Sequence, residues 1–329
     1  MKTRNLANRQ VNPMGLGCMS LSWAYGEPPS RDEAIALLHR AIELGYDHLD
    51  TANIYGAGES EKLIAEGLKD RRRDYFLASK TGIVANGMAR SVDCHPDSIT
   101  ASIDASLARL QTDHIDLLYL HRFDPKVPIA DSVGALVRAI EAGKIGSYGV
   151  SEWSAAQIRE AHAAHPMAAV QTEYSLWTRN VERAVLEATR ELGIAFVAFS
   201  PVGRGGLCGE MGEPADLPER DFRRNMPRFM GENWLANRQL VHEFVALAEG
   251  AGVTAAQLAL AWVLSRGDHV HVIPGTTSLR HLEDNIRTGD CDIGADLLAR
   301  ADALINEKTI IGHRYPDSMN ALVYTEEAA

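Results

Sequence analysis

Eight short apolar runs recur along the chain: MGLGC, YDHLDT, YFLASK, IDLLYLH, IGSYGVS, AAVQTE, IAFVAFS and VHVIPG. Each has strand length and is rich in branched or aromatic side chains, as expected of strands buried on both faces. Between them lie segments with helical spacing and legible ends. SRDEAIALLHRAIELG opens on Ser30 with Glu33 three residues later, a capping box, and closes on Gly45. HPDSITASIDASLARLQ carries Pro96 near its start, and TRNVERAVLEATRELG ends on Gly193. This alternation predicts an α/β fold, a closed parallel (β/α)8 TIM barrel, and residues 1–329 read as one domain. A doubly wound sheet is the alternative, but no GxGxxG follows the first strand, and MGLGCMS does not lead straight into a helix. The connection after the seventh strand, Pro201 to about Asn237, is longer than an ordinary barrel loop, and a helical extension is expected at the C-terminus.

In such a barrel, function gathers at the C-terminal strand ends. Here those ends are polar: Asp50, Lys80, His121, Ser151 with Glu152, Gln171 and Ser200. Any one of them alone is an ordinary strand terminus. Together with Tyr55, on the loop after the second strand, they form a group that packing does not require. The chemistry that needs such a group is proton donation to a carbonyl oxygen. A tyrosine, with an ordinary pKa near 10, is a poor acid at neutral pH until a cation stabilises its phenolate. Lys80 is placed to do that, Asp50 to keep Lys80 charged, and His121 to hydrogen-bond the substrate oxygen or share its proton.

Composition narrows the partners. The formal net charge is −11 and Lys and Arg form no concentrated stripe, which argues against nucleic acid and anionic membrane surfaces. Cys18, Cys94, Cys208 and Cys291 are scattered without CxxC spacing, so reduced thiols are expected, with no disulfide framework and no metal site. No apolar run is long enough to span a membrane, and MKTRNLANRQ lacks a signal-type apolar region, so the expected location is the cytoplasm.

DTANIYGAGESEKLIAEGL, ASKTG, DLLYLHRFDPKVP, GKIGSYGVSEWS, VQTEYSLWTR, FSPVGRGGL and IPGTTSLRHLEDN, in this order, resemble the aldo-keto reductase superfamily from about residue 13 to about residue 290. The resemblance implies a nicotinamide cofactor and hydride transfer between an aldehyde or ketone and its alcohol, with Asp50, Tyr55, Lys80 and His121 as the catalytic four. It places Asp50, Ser151 and Gln171 at the nicotinamide end, with Phe199 stacking on the ring. Glu152 stands where asparagine is usual; its carboxylate can accept from the carboxamide NH2. The run Ser200, Pro201, Val202, Gly203, Arg204 and Gly206 matches the pyrophosphate loop, and Gly275, Thr276, Thr277 and Ser278 match the adenosine-phosphate loop at a helix N-terminus. His281 falls where arginine is frequent, and Asp284 and Asn285 match adenine contacts. The resemblance implies NADP(H). Because positions 275–278 hold no lysine or arginine and only Arg280 and His281 lie near, NAD(H) stays open. DFRRNMPRFMGENWLANRQ is expected to fold over the cofactor, with Arg223 and Arg224 in reach of phosphate. Trp23, Tyr25, Trp177 and Trp234 are expected to line an aromatic substrate pocket, and Trp153 and Trp262 to be core. A second function class is a non-catalytic nicotinamide-binding regulatory subunit; the intact catalytic residues favour the enzyme.

Overall fold

The fold is seen in a computed structural model, which describes residues 1–86 and 89–325. Among the described residues, eight parallel strands form one sheet in chain order: β1 (Leu16–Gly17), β2 (His48–Asp50), β3 (Phe76–Thr81), β4 (Leu117–Leu120), β5 (Tyr148–Ser151), β6 (Ala169–Glu173), β7 (Ala195–Phe199) and β8 (Val270–Ile273). Parallel bridges Met14–Val272 and Gly17–Gly275 bring the last strand back to the first. The sheet is therefore a barrel, and every strand-like run of the sequence contributes to it. Helices α1 (Arg31–Glu43), α2 (Glu59–Gly67), α3 (Pro96–Leu110), α4 (Ile129–Glu141), α5 (Ala155–Ala164), α6 (Val185–Leu192), α7 (Gly231–Glu249), α8 (Ala255–Leu264) and α9 (Leu279–Ile286) surround it. Helix α10 (Ala295–Leu304) and the short α11 (Asp317–Asn320) form the C-terminal extension. The capping box Ser30–Glu33 is made, and Gly45 turns out of α1 at φ 92°.

Strand residues alternate between two faces. The outward set, including Leu49, Leu77, Leu118, Val150, Val170 and Phe196, joins the core shared with the helices. The inward set, Phe76, Ala78, Leu117, Tyr119, Ala169, Ala195, Val197 and Ile273, forms a second cluster inside the barrel. A hairpin absent from the sequence reading, Arg4–Leu6 paired with Arg9–Val11, closes the bottom. Its Leu6 and Val11 enter that inner cluster, and Arg4 and Arg9 donate to the carbonyls of Gly267 and Tyr75, each ahead of a strand. The inward parity matters for the site. Continuing it upward from the apolar layer gives Asp50, Lys80, His121, Ser151, Gln171, Glu173 and Phe199, so the inward faces of β3, β4 and β6 are apolar below and polar at the mouth.

The long connection ends at Met230, because residues from Gly231 belong to α7, not at about Asn237 as expected. It is built from short turns, Gly203–Cys208, Pro214–Asp216, Phe222–Asn225 and Pro227–Phe229. Asp221 accepts from the Gly26 amide at 2.8 Å, and the Phe222 ring stacks on Trp23 and Tyr25 at 5.9 and 4.9 Å. The connection thus docks against the loop that follows β1.

Candidate active site

Tyr55 reaches the strand ends through a tight left-handed turn. Gly56 and Gly58 have φ of 57° and 91°, and Ala57 follows the same path at 55°, which folds the chain back over the barrel before α2. A Cβ at Gly56 would also lie 2.8 Å from Ser22, so this position demands glycine twice. Asp50 and Lys80 both point inward, Asp50 beside Ala78 in the β2–β3 register. The Lys80 ammonium pairs with Asp50 Oδ1 and donates to the Thr51 carbonyl at 2.8 Å. Gln171 Nε2 holds the other Asp50 oxygen at 2.7 Å. Lys80 Nζ lies 5.0 Å from the Tyr55 ring centroid. The His121 ring meets Tyr55 edge-on at 5.9 Å.

The four groups are buried, and burial governs their protonation. It raises the Asp50 carboxyl above the ordinary range, against the pull of Lys80. It works to discharge Lys80, but Asp50 and Tyr55 outweigh it and the ammonium is held above its ordinary value. It lifts the Tyr55 phenol as well; Lys80 opposes this without reversing it. The expectation that Lys80 brings Tyr55 below its ordinary value is therefore not met, because desolvation of a phenolate outweighs one shared cation. His121 is held well below 6.5 by burial and by Arg122, Lys80 and Arg90, so it is neutral at physiological pH.

These residues open on a cavity of about 700 Å³. Asp50, Tyr55, His121, Ser151, Gln171 and Phe199 line one end, with Trp23 and Tyr25 beside them. Ser200, Pro201, Val202 and Arg204 follow along the wall, then Gly275, Thr276, Thr277, His281, Asp284 and Asn285 at the other end. Ser278 sits behind this wall, where its hydroxyl accepts from the His281 amide as the N-cap of α9. Lys80 lies beneath Tyr55 and is 1% exposed.

Several expectations change. Glu152 does not face the cavity. Its backbone is left-handed at φ 62°, and its buried carboxylate pairs with Arg314 and accepts from Thr325 and the Glu173 amide. Arg204 lines the wall, yet its guanidinium pairs with Glu173 at 2.6 Å, and the Gly203, Gly205 and Leu207 amides of that turn donate to the Ser200 and Val202 carbonyls. Trp177 is not on the wall either. Cβ atoms at Gly203 and Gly206 would lie 2.5 and 2.1 Å from its ring, so those glycines are needed to seat the turn on Trp177, and neither lines the cavity. Arg223 pairs with Asp221, while Arg224 donates to the Ala215 and Leu217 carbonyls rather than lining the cavity. Trp234 is buried against Phe229.

The sequence reading missed other wall residues. Arg122 follows His121 directly and could have been read from LHR. Arg90, Glu210, Phe222, Tyr315 and Met319 come from connections and the C-terminal tail, where no periodicity points inward. Glu210 meets Arg280 at 2.7 Å and His281 at 2.9 Å, so the two side chains near the adenosine-phosphate loop share one carboxylate. Among the described residues, no group of three or more His, Cys, Asp or Glu is placed to hold a metal, and no helix is long and apolar enough to cross a membrane. Cys18, Cys94, Cys208 and Cys291 are free thiols.

The family model described as the Aldo/keto reductase family matches residues 13–306. The chain belongs to that family. It is 39% identical to the aldo-keto reductase yakc of Schizosaccharomyces pombe, whose name specifies NADP(+), over 98% of this chain and 97% of that protein. A probable aldo-keto reductase 1 from Glycine max is 40% identical over 84% of this chain and 80% of its own length. Among solved structures, a glycerol dehydrogenase from Gluconobacter oxydans superposes with a TM-score of 0.83 at 26% identity, covering 92% of this chain and 94% of the other. The holo form of an aldo-keto reductase from Bacillus halodurans does so with a TM-score of 0.79, also at 26% identity, covering 93% and 97%. This aldo/keto reductase is therefore an oxidoreductase by family.

Proposed function

We propose that the protein interconverts an aldehyde or ketone with its alcohol, using NADP(H), with Tyr55 as the general acid and base. The observation that carries this reading is the Lys80 ammonium, anchored by Asp50 and the Thr51 carbonyl directly beneath the Tyr55 phenol at the cavity wall. A bound nicotinamide supplies the hydride to the carbonyl carbon. Tyr55 gives its proton to the oxygen, and Lys80 stabilises the phenolate left behind. Neutral His121 donates a hydrogen bond to the same oxygen without competing as an acid. Asp50, itself held by Gln171, keeps Lys80 in place.

A dinucleotide suits the cavity's shape. The proposed catalytic groups are at one end, the turn that follows β7 lies midway, and the N-terminus of α9 stands at the other end. Ser151, Gln171 and Phe199 would hold the nicotinamide, Ser200 to Val202 the pyrophosphate, and Thr276, Thr277, Asp284 and Asn285 the adenosine. NADP(+) is specified for the S. pombe relative, which supports NADP(H) here. A 2′-phosphate would meet Arg280 and His281 already engaged by Glu210, so the preference over NAD(H) is narrow. Following NADPH absorbance with a panel of aldehydes and ketones tests the reading. Cofactor binding seen by fluorescence quenching without turnover of any carbonyl would leave a non-catalytic nicotinamide-binding protein instead.

A further inference from the structure

Five arginines and four carboxylates stand among the described residues of the cavity wall: Arg90, Arg122, Arg204, Arg223 and Arg280, and Glu27, Asp50, Glu210 and Asp284. Each carboxylate is engaged: Glu27 with Arg220, Asp50 with Lys80, Glu210 with Arg280, and Asp284 with Thr254 and Gln257. Arg204, Arg223 and Arg280 are paired with Glu173, Asp221 and Glu210. Arg90 and Arg122 form no ion pair among the described residues.

Both unpaired cations sit at the catalytic end. Arg122 donates to the His121 carbonyl at 2.6 Å and to Ser151 Oγ at 3.4 Å, so its fork is fixed beside the general-acid group while donors remain. Glu152, the acid whose field reaches Arg122, is already saturated by Arg314, Thr325 and the Glu173 amide. Arg90, on the strand Ala89–Val92, lies 4.1 Å over the Trp23 ring, which belongs to the aromatic wall with Tyr25 and Phe222. In a protein of net charge −11, the catalytic mouth thus carries two uncompensated positive charges next to an apolar surface.

We propose that the substrate is an oxo-carboxylate: an aldehyde or ketone whose apolar or aromatic body lies on Trp23, Tyr25 and Phe222 and whose carboxylate is held by Arg122 and Arg90. This rests on the carbonyl-reductase reading above. The planar guanidinium fork matches a carboxylate, and a charged hydrogen bond is stronger than a neutral one. The carboxylate is a spectator: hydride adds to the carbonyl carbon, the proton from Tyr55 adds to its oxygen, the nicotinamide is oxidised and the carbonyl becomes an alcohol.

Matched pairs of aldehydes test this at two spacings, succinic semialdehyde against its methyl ester and 4-carboxybenzaldehyde against methyl 4-formylbenzoate. For at least one pair, the acid should exceed the ester in kcat/KM by about tenfold to a hundredfold, mostly through KM, the range of one charged hydrogen bond. Added salt should shrink the ratio. Arg122→Met and Arg90→Met should each bring the ratio toward one, with Arg122→Lys intermediate. Esters used as well as acids by the wild type at both spacings would overturn the proposal while leaving the reductase reading intact. Failure to reduce any of the four aldehydes, with NADPH bound, would bring down both.

Discussion

Two clusters of buried charge occupy the mouth of the barrel. In one, Asp50, Lys80 and Gln171 lie under Tyr55. In the other, Glu152 and Glu173 are interlocked with Arg314 and Arg204, backed by Thr178 and Thr325. Both exclude water: Lys80 and Asp50 are 1% and 2% exposed, Glu152 and Arg314 0% and 4%. What separates them is saturation. In the second cluster two acids meet two guanidiniums and the surrounding donors. Burial favours the neutral acid, but Arg314 above all holds Glu152 below the ordinary carboxylate range. In the first, a single lysine serves an acid and a phenol together, and both acids sit above their ordinary values. Buried charge alone therefore does not distinguish the cluster proposed to do chemistry; a proton held by an undersupplied group facing a cavity does. The saturated cluster instead ties the C-terminal tail, with Tyr315 and Met319 of the cavity wall, to the ends of β5 and β6.

Breaking the undersupplied cluster should have the largest effect. Tyr55→Phe is expected to lower the chemical step by roughly 10²–10⁴-fold, with NADPH affinity by fluorescence titration almost unchanged. A variant keeping a tenth of wild-type single-turnover rate would remove Tyr55 as the acid. Breaking the saturated cluster should show in stability instead. Glu152→Ala leaves Arg314 buried beside a cavity, a loss of about 3–5 kcal/mol, and denaturant unfolding should register it. Unchanged stability in that variant would mean that the pair does not anchor the tail.

A smaller effect sharpens the role of neutral buried groups. His48 and His271, inside the barrel below Asp50, are pushed by burial down to about 3 and about 4. The unfolded chain protonates them near 6.5 and the folded chain does not, so their contribution is present above 6.5 and lost as pH falls toward 4. For His48, the loss at pH 5 is about 2 kcal/mol. The melting temperature should fall between pH 7 and 5, and His48→Leu should flatten that fall; an equal slope in both proteins would contradict it. The smallest effect belongs to the exposed counterpart of the two clusters, Glu210 with Arg280 and His281. Glu210→Gln should raise the NADPH-to-NADH affinity ratio by no more than about fivefold, measured by paired titration at low salt. A ratio that stays fixed would show that the 2′-phosphate does not compete with this carboxylate.

The eight strands, their order and the polar residues at the barrel mouth were legible because each depends on local pattern. An apolar run ending on a polar residue marks a buried parallel strand, and inward parity then carries Asp50, Lys80 and His121 to the same mouth. Gly45 and Gly193 ended their helices where a left-handed residue was needed. The misreadings share a different cause. Glu152 follows Ser151 in the chain, but parity and a left-handed backbone turn it to the other side, where Arg314 meets it. Gly203 and Gly206 looked like a phosphate turn, yet each also clears the Trp177 ring. A glycine shows that something approaches closely without saying what. The sequence alone determined the barrel and the kinds of group at its mouth, since periodicity and strand-end chemistry are properties of neighbouring residues. Which carboxylates are spent on arginines, and which arginines are left over, was decided only by the tertiary structure, because ion pairing across 162 residues, as between Glu152 and Arg314, depends on where distant segments meet.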